Sequence, residues 1–259
     1  MTGLTDEWGG TGWDSQARLV QGRWVERRPR RPEVAVRLLM ETRLMRWLAP
    51  RLPLPVPIPH VVRREPLVVR HELVAGERLE TFDAAGGRML GAFLRALHAT
   101  DPAQAVRHGA PPAREALRER AATVEDFGTR VVPLLPHDRR GAASALLAAV
   151  VASPAGALVH GDLGPEHVLA RDGTVSGVID FGDAHVGDPA LDLAWALHGA
   201  PPAFARAVAA EYGAAPELVE RALLWHRLGP WHEVTYGLDT GDPDRVRSGL
   251  DGVLARLPA

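Results

Sequence analysis

Residues 49–59 read APRLPLPVPIP, five prolines in eleven positions. Each proline locks φ and removes a backbone donor, so the stretch can form neither a helix interior nor a central strand. It is expected to run extended, as a semi-rigid connector. Before it, residues 12–28 read as two short strands around a turn at Gln21-Gly22, with the small residues Gly9 to Gly12 just ahead. Val34 to Leu48 has Val36, Leu39, Leu44 and Leu48 at helical spacing. After the connector, residues 67–74 (LVVRHELV) read as another strand, closed by Ala75-Gly76.

From about residue 77 the pattern turns helical. Met89 to Ala99, Arg114 to Phe127 and Arg139 to Ala152 each carry apolar residues at helical period. The helical pattern breaks at 158–183, where Val168-Leu169 and Val175 to Ile179 flank an Asp-Gly turn. Asp188-Pro189 and Asp242-Pro243 each set an N-cap aspartate before a proline at the first helical position, and Pro216 opens a third helix. The expected plan is α+β: a small β-rich N-terminal lobe over 1–75, a hinge near 72–77, and a larger helical lobe over 76–259.

Composition narrows the function. The net charge of −2 gives no basic field for nucleic acid, and the absence of cysteine excludes disulfide and thiolate chemistry. No apolar run approaches the roughly 18 residues of a membrane span, and the first residues lack a signal-peptide pattern. A reducing cytoplasm fits these features. The chain contains no lysine and no asparagine, and all thirty residues counted as Lys+Arg are arginine. Any role usually given to Lys or Asn must be filled by something else.

The chemistry is concentrated in residues 160–183. His160-Gly161-Asp162 is followed by His167, and then by Asp180-Phe181-Gly182. Phosphoryl transfer needs a carboxylate beside the acceptor hydroxyl, metal ligands for the phosphates, and positive charge on them. A loop with Asp162 and His167, joined by a hairpin to Asp180, can supply the first two. A lone His-x-Asp means little; the whole block is specific.

HGDLGPEHVL followed by IDFGDAHVGDPALDLA resembles the aminoglycoside phosphotransferase family, within the protein-kinase-like fold. The likeness extends more weakly through GTGWDS near the start and LGAFLRALH at 90–98. It implies that Asp162 is the catalytic base, that Asp180 binds metal bridging the phosphates, and that His160, Asp188 and Asp192 are structural. It also implies Mg²⁺, two ions, with ATP or GTP as cosubstrate. His167 stands where the family pattern has Asn, and His is also seen at this position in the 2″-aminoglycoside and macrolide kinase branches.

The family's phosphate lysine cannot exist in this chain. In the strand Arg23 to Arg28, Arg27 lies on one face with Val25, and Glu26 and Arg28 lie on the other. Arg27 is the candidate phosphate contact and Glu41 its ion-pair partner. An arginine-rich run is also the pattern of a solvated basic face. Ser15 and the hinge residues Glu72 and Val74 complete the expected nucleotide site.

The acceptor wall is expected in the helical lobe, from Asp183, Glu233 and Asp239, with Glu125 and Asp126 nearby. These acids suit a cationic acceptor such as an aminoglycoside, although helix-end acids are often simply solvated. A macrolide would instead use an apolar wall of Trp231, Tyr236 and Leu238. A kinase of choline, homoserine or a sugar, and an inactive nucleotide-binding module, are the alternatives. Small molecules are the expected partners, with neither nucleic acid nor membrane.

Overall fold

The computed structural model describes Trp8 and residues 15–258. Gly9 to Asp14, which hold most of the GTGWDS match, lie outside the described residues. The first hairpin is β1 (Ser15–Val20) and β2 (Trp24–Pro29), and its turn puts Gln21 and Gly22 at φ 56° and 64°. α1 (Pro32–Leu48) follows, then β3 (His60–Arg64) and β4 (Leu67–Glu72). The four strands form an antiparallel sheet in the order β1-β2-β4-β3. β3 carries no strong strand signal; its pairing with β4 makes it a strand.

Strand alternation decides what faces α1. Arg27 is paired with Val69, and Val25 with His71, so these four share the inner face. Glu26 is directed to the outer face, where Arg18 and Arg70 both donate to it across neighbouring strands. α1 turns Val34, Leu38, Glu41, Leu44, Met45 and Leu48 inward. This corrects the apolar stripe read from the sequence: Val36 is 57% exposed and Leu39 only partly buried. The wall that α1 packs against decides the stripe, and the residue spacing alone fits two faces.

The proline-rich connector begins as a short 3₁₀ turn, Ala49–Arg51, and then runs extended. The Pro55 carbonyl accepts a bond from the Val178 amide at 3.0 Å, so the connector is bound along the second lobe. Gly177 permits the approach, since a Cβ there would lie 2.9 Å from that carbonyl oxygen.

The second lobe starts with β5 (Glu77–Arg78) and α2 (Ala84–His98), the latter capped by Asp83, whose carboxylate accepts from the Gly86 amide at 2.7 Å. α3 (Pro102–Arg107), α4 (Ala113–Arg130) and α5 (Arg140–Val151) lead to β6 (Ala157–Val159). β7 (Val168–Arg171) and β8 (Thr174–Val178) form the expected hairpin, β7 also pairs with β5, and β9 (His185–Gly187) pairs with β6. The chain ends in α6 (Pro189–His198), α7 (Pro202–Tyr212), α8 (Pro216–Thr240) and α9 (Pro243–Arg256). α3, α7, β6 and β9 were not evident in the sequence. The short strands β6 and β9 exist only because each pairs with the other.

Two packing features matter for the site. α2 and α7 approach closely because α2 offers glycines: a Cβ on Gly87 would lie 2.6 Å from the Phe204 carbonyl oxygen, and one on Gly91 2.8 Å from that of Val208. α8 stays continuous through Pro230, whose missing N–H frees the His226 carbonyl; Arg256 Nη1 donates to it at 2.7 Å. Trp231, expected on an apolar acceptor wall, is instead fully buried with Phe127 and Leu146 in the core behind it. A large indole on the inner side of α8 gains more by burial than by exposure.

Candidate active site

The loop between β6 and β7 is held from below. His160 is fully buried, and its backbone N–H donates to Asp192 Oδ2 at 2.7 Å, while Gly161 N–H donates to Oδ1 at 2.9 Å. On its ring, Nδ1 accepts from the Asp162 amide at 3.3 Å, so Nε2 carries the proton and donates to the Ile179 carbonyl at 2.9 Å. Burial holds this imidazole below its ordinary range, in agreement with a neutral ring. Asp188, also fully buried, caps α6 through the Ala190 amide and accepts from Arg221 and from the Trp225 indole.

Gly161 is required by geometry. Its φ is 91°, and a Cβ would sit 2.3 Å from the Asp183 carbonyl oxygen. The loop bearing Asp162 and the turn bearing Asp180 are therefore in backbone contact. Asp180 itself is left-handed, at φ 68° and ψ 67°, a strained state for a non-glycine residue, and its carboxylate faces Arg27 and His167.

Four side chains converge there. His167 Nδ1 donates to the Asp162 carbonyl at 2.6 Å, which leaves the Nε2 lone pair of a neutral ring on the side of Asp180, whose Oδ2 is 3.8 Å away. The Arg27 guanidinium reaches in from β2: Nη1 donates to both Glu41 oxygens at 3.0 Å, Nε to Ser15 Oγ at 3.3 Å, and Nη2 lies 3.9 Å from Asp180 Oδ1. Ser15, Arg27 and Glu41 thus form one unit beside Asp180. Glu72 is exposed and paired with Arg23 at 3.0 Å, while Val74 is buried against Gly177. These hinge side chains do not join the Arg27 unit.

The electrostatics separate the carboxylates. Desolvation pushes Asp162 up to about 6, with Asp183, Asp180 and Glu166 adding to the rise and His167 opposing it. Burial also raises Asp180, but the Arg27 guanidinium, helped by the Gly182 backbone N–H, outweighs it and holds that group below its ordinary value. Burial raises Glu41 against the pull of Arg27. The pair of neighbouring aspartates therefore differs in proton affinity, as in sites that divide base and ligand roles.

A cleft of about 940 Å³ opens beside this group, which reaches it through Asp162 and Glu41. α1 lines it with Val36, Arg37 and Met40, and α4 with Glu115 and Glu119; Asp162 and Asp183 lie on its floor. Arg37 bridges the lobes, with Nη1 3.4 Å from Asp183 Oδ1. Of the expected acceptor acids only Asp183 lines this cleft. Asp239 is bound by Arg130, which also holds Asp126, and Glu233 does not line it. Glu115 and Glu119 were missed because α4 is polar along most of its length, so nothing in its sequence marks one face as a ligand wall. Tyr236 is half-buried and stacked under Arg245, and Leu238 is exposed; neither lines the cleft.

Among the described residues no group of three or more His, Asp or Glu is arranged to hold a metal ion. Asp180 and His167 are a two-member donor set. Mg²⁺ commonly takes one or two protein ligands and completes its shell with phosphate oxygens and water, so the pair fits it, with imidazole the weaker of the two ligands. No helix among the described residues is long and apolar enough to cross a membrane.

The chain is similar to several known proteins. The viomycin phosphotransferase of Streptomyces vinaceus is 36% identical over 179 residues, 66% of this chain, and the match spans about half of that protein, 53%. Among solved structures, the GDP and kanamycin complex of APH(2″)-IIIa superposes with a TM-score of 0.84 at 26% identity, covering 96% of this chain and 92% of that one. The macrolide 2′-phosphotransferase MphH of Brachybacterium faecium gives 0.74 at 25% identity, covering 96% and 91%. The sequence model of the phosphotransferase enzyme family matches residues 10–231, most of the chain, and the chain belongs to that family.

Proposed function

We propose that this chain is a small-molecule kinase that moves the γ-phosphoryl group of ATP or GTP onto a hydroxyl of a cationic, aminoglycoside-type antibiotic. The observation that carries the reading is the pairing of Asp162, raised to about 6, with Asp180, held low by Arg27, on either side of His167, which lies 3.9 Å from the first and 3.8 Å from the second. Asp162 orients the acceptor hydroxyl and takes its proton as the O–P bond forms. Arg27, fixed by Glu41 and Ser15, contacts the phosphates in place of lysine, and the hinge backbone at Glu72 to Val74 holds the base. Asp180 and His167 would hold Mg²⁺, two ions being expected, and the metal would supply positive charge to offset that of the phosphates.

The division of the chain at 75/76 follows from this reading: nucleotide against the first lobe, acceptor against the second. Residues 15–72 hold thirteen arginines and five acids, a polarity suited to phosphates. Glu115, Glu119 and Asp183 on the acceptor side suit ammonium groups. Cysteine-free and dependent on nucleoside triphosphate, such an enzyme suits the cytoplasm and a role in antibiotic resistance. Val36 and Met40 in the same cleft favour a second reading, an acceptor with an apolar body such as a macrolide. ADP or GDP release over a panel of kanamycin-type aminoglycosides, viomycin, macrolides and neutral alcohols tests both. Turnover confined to neutral or anionic alcohols rejects them.

A further inference from the structure

A chain of hydrogen bonds joins the end of α7 to the loop that carries Asp162. The Tyr212 hydroxyl lies 3.0 Å from His98 Nδ1, and His98 Nε2 lies 2.9 Å from Asp192 Oδ2. Asp192 in turn accepts from the backbone of His160 and Gly161. Three helices thus contribute one side chain each: Tyr212 from α7, His98 from α2 and Asp192 from α6.

The direction of each proton follows from chemistry. A carboxylate only accepts, so His98 Nε2 carries a hydrogen. In the neutral ring Nδ1 is then an acceptor, and the group facing it is the Tyr212 O–H. Burial, with Asp192 and Asp188 adding and Arg221 opposing, pushes the phenol up to about 12, so its hydrogen is present at neutral pH. In the other tautomer the bare Nε2 would face the fully buried Asp192 carboxylate, and one of its three N–H donors would be lost. The close α2–α7 packing delivers the phenol: a Cβ on Gly91 would come within 3.2 Å of the Tyr212 amide nitrogen, and the Tyr212 and His98 rings meet edge to face at 5.5 Å.

We infer that Tyr212 is a positioning residue of the catalytic loop: its O–H, donated to Nδ1, fixes the orientation of the His98 ring whose Nε2–H holds Asp192, and Asp192 holds the backbone of His160 and Gly161 beneath Asp162. The inference rests on the reading of Asp162 as the base. Tyr212→Phe removes the hydroxyl and no carbon, and the whole chain is used.

Two readouts test it. Nitrogen-15 resonances of the His98 ring, assigned by their loss in His98→Gln, report the state of each ring nitrogen without any reaction. They are expected to show Nε2 protonated in both proteins, with the Nδ1 resonance moved downfield and broadened in Tyr212→Phe as the ring loses its donor. In turnover, Tyr212→Phe is expected to lower kcat about three- to tenfold with nucleotide KM within about twofold, the mark of misplaced chemistry with binding intact. His98→Gln, which keeps an N–H near the Nε2 position, is expected to retain at least about ten times the kcat of His98→Leu. An unchanged Nδ1 resonance in Tyr212→Phe, a changed one with kcat unaltered, or equal kcat in the Gln and Leu variants overturns the inference. If no acceptor is turned over by the parent, the function reading fails while the resonances still report on the ring.

Discussion

Arg27 Nη2 lies 3.9 Å from Asp180 Oδ1, and this contact joins the sheet of the first lobe to the turn after the hairpin of the second. Glu41 fixes the guanidinium from behind through both of its oxygens, so the cation is aimed and little of its freedom remains.

If that cation binds phosphate, Arg27→Ala raises nucleotide KM by about tenfold, the loss of one charge-assisted contact. Glu41→Ala moves KM the same way by less, because the guanidinium remains but wanders. Steady-state kinetics with saturating acceptor measure both. Unaltered nucleotide KM in Arg27→Ala would reject the phosphate role.

Asp162→Asn keeps shape and removes the base. We expect kcat to fall about 10²- to 10⁴-fold with nucleotide affinity little changed. The parent's kcat/KM should drop as pH falls through about 6, where Asp162 takes up its proton, and the variant should lack that limb. A variant with more than about a third of parental kcat contradicts the assignment.

The same carboxylate bears on stability, with the opposite sign from an ion-paired acid. Its value is raised in the folded state, so its contribution is present at low pH and lost as pH rises through about 6. Asp162→Asn should therefore melt no lower than the parent at pH 8, and relatively less favourably at pH 4. Thermal unfolding at the two pH values checks it.

Asp180→Ala should abolish Mg²⁺-dependent nucleotide binding, measured by calorimetry with and without the metal. His167→Asn, which replaces imidazole nitrogen with an amide oxygen, should keep or lower the Mg²⁺ concentration required, since hard cations prefer oxygen. A rise of more than about tenfold in that concentration would argue that His167 serves another purpose.

Gly161→Ala should cost activity out of proportion to its size. An alanine Cβ would collide with the Asp183 backbone, 2.3 Å away, and must hold φ near 91° as well. We expect a lower melting temperature and a fall in kcat of at least about tenfold, since a displacement near 1 Å is enough to misplace a base. Circular dichroism melts and turnover on the same preparation test it.

Much of the fold was legible because it is locally encoded. The Gln21-Gly22 turn, the Asp188-Pro189 and Asp242-Pro243 helix starts and the hairpin around Asp172-Gly173 rest on φ preferences and caps within a few residues. The alternation of β2 fixed Arg27 on the face opposite Glu26 before any sheet was known. The order of Asp162, His167 and Asp180 told which chemistry to look for. What the sequence could not decide is what meets across distance. β3, β6 and β9 are strands only by pairing. Val36 is exposed and Trp231 buried because α1 and α8 pack by particular faces, and amphipathic spacing allows more than one. Glu115 and Glu119 join Asp183 around one cleft while Asp239 is held away by Arg130, and Tyr212 reaches His98 only because two glycines let α2 and α7 close. Turns and caps are settled by neighbours along the chain; burial and the company a charge keeps are settled by the packing of segments distant in sequence, from 14 residues apart for Arg27 and Glu41 to 114 for His98 and Tyr212.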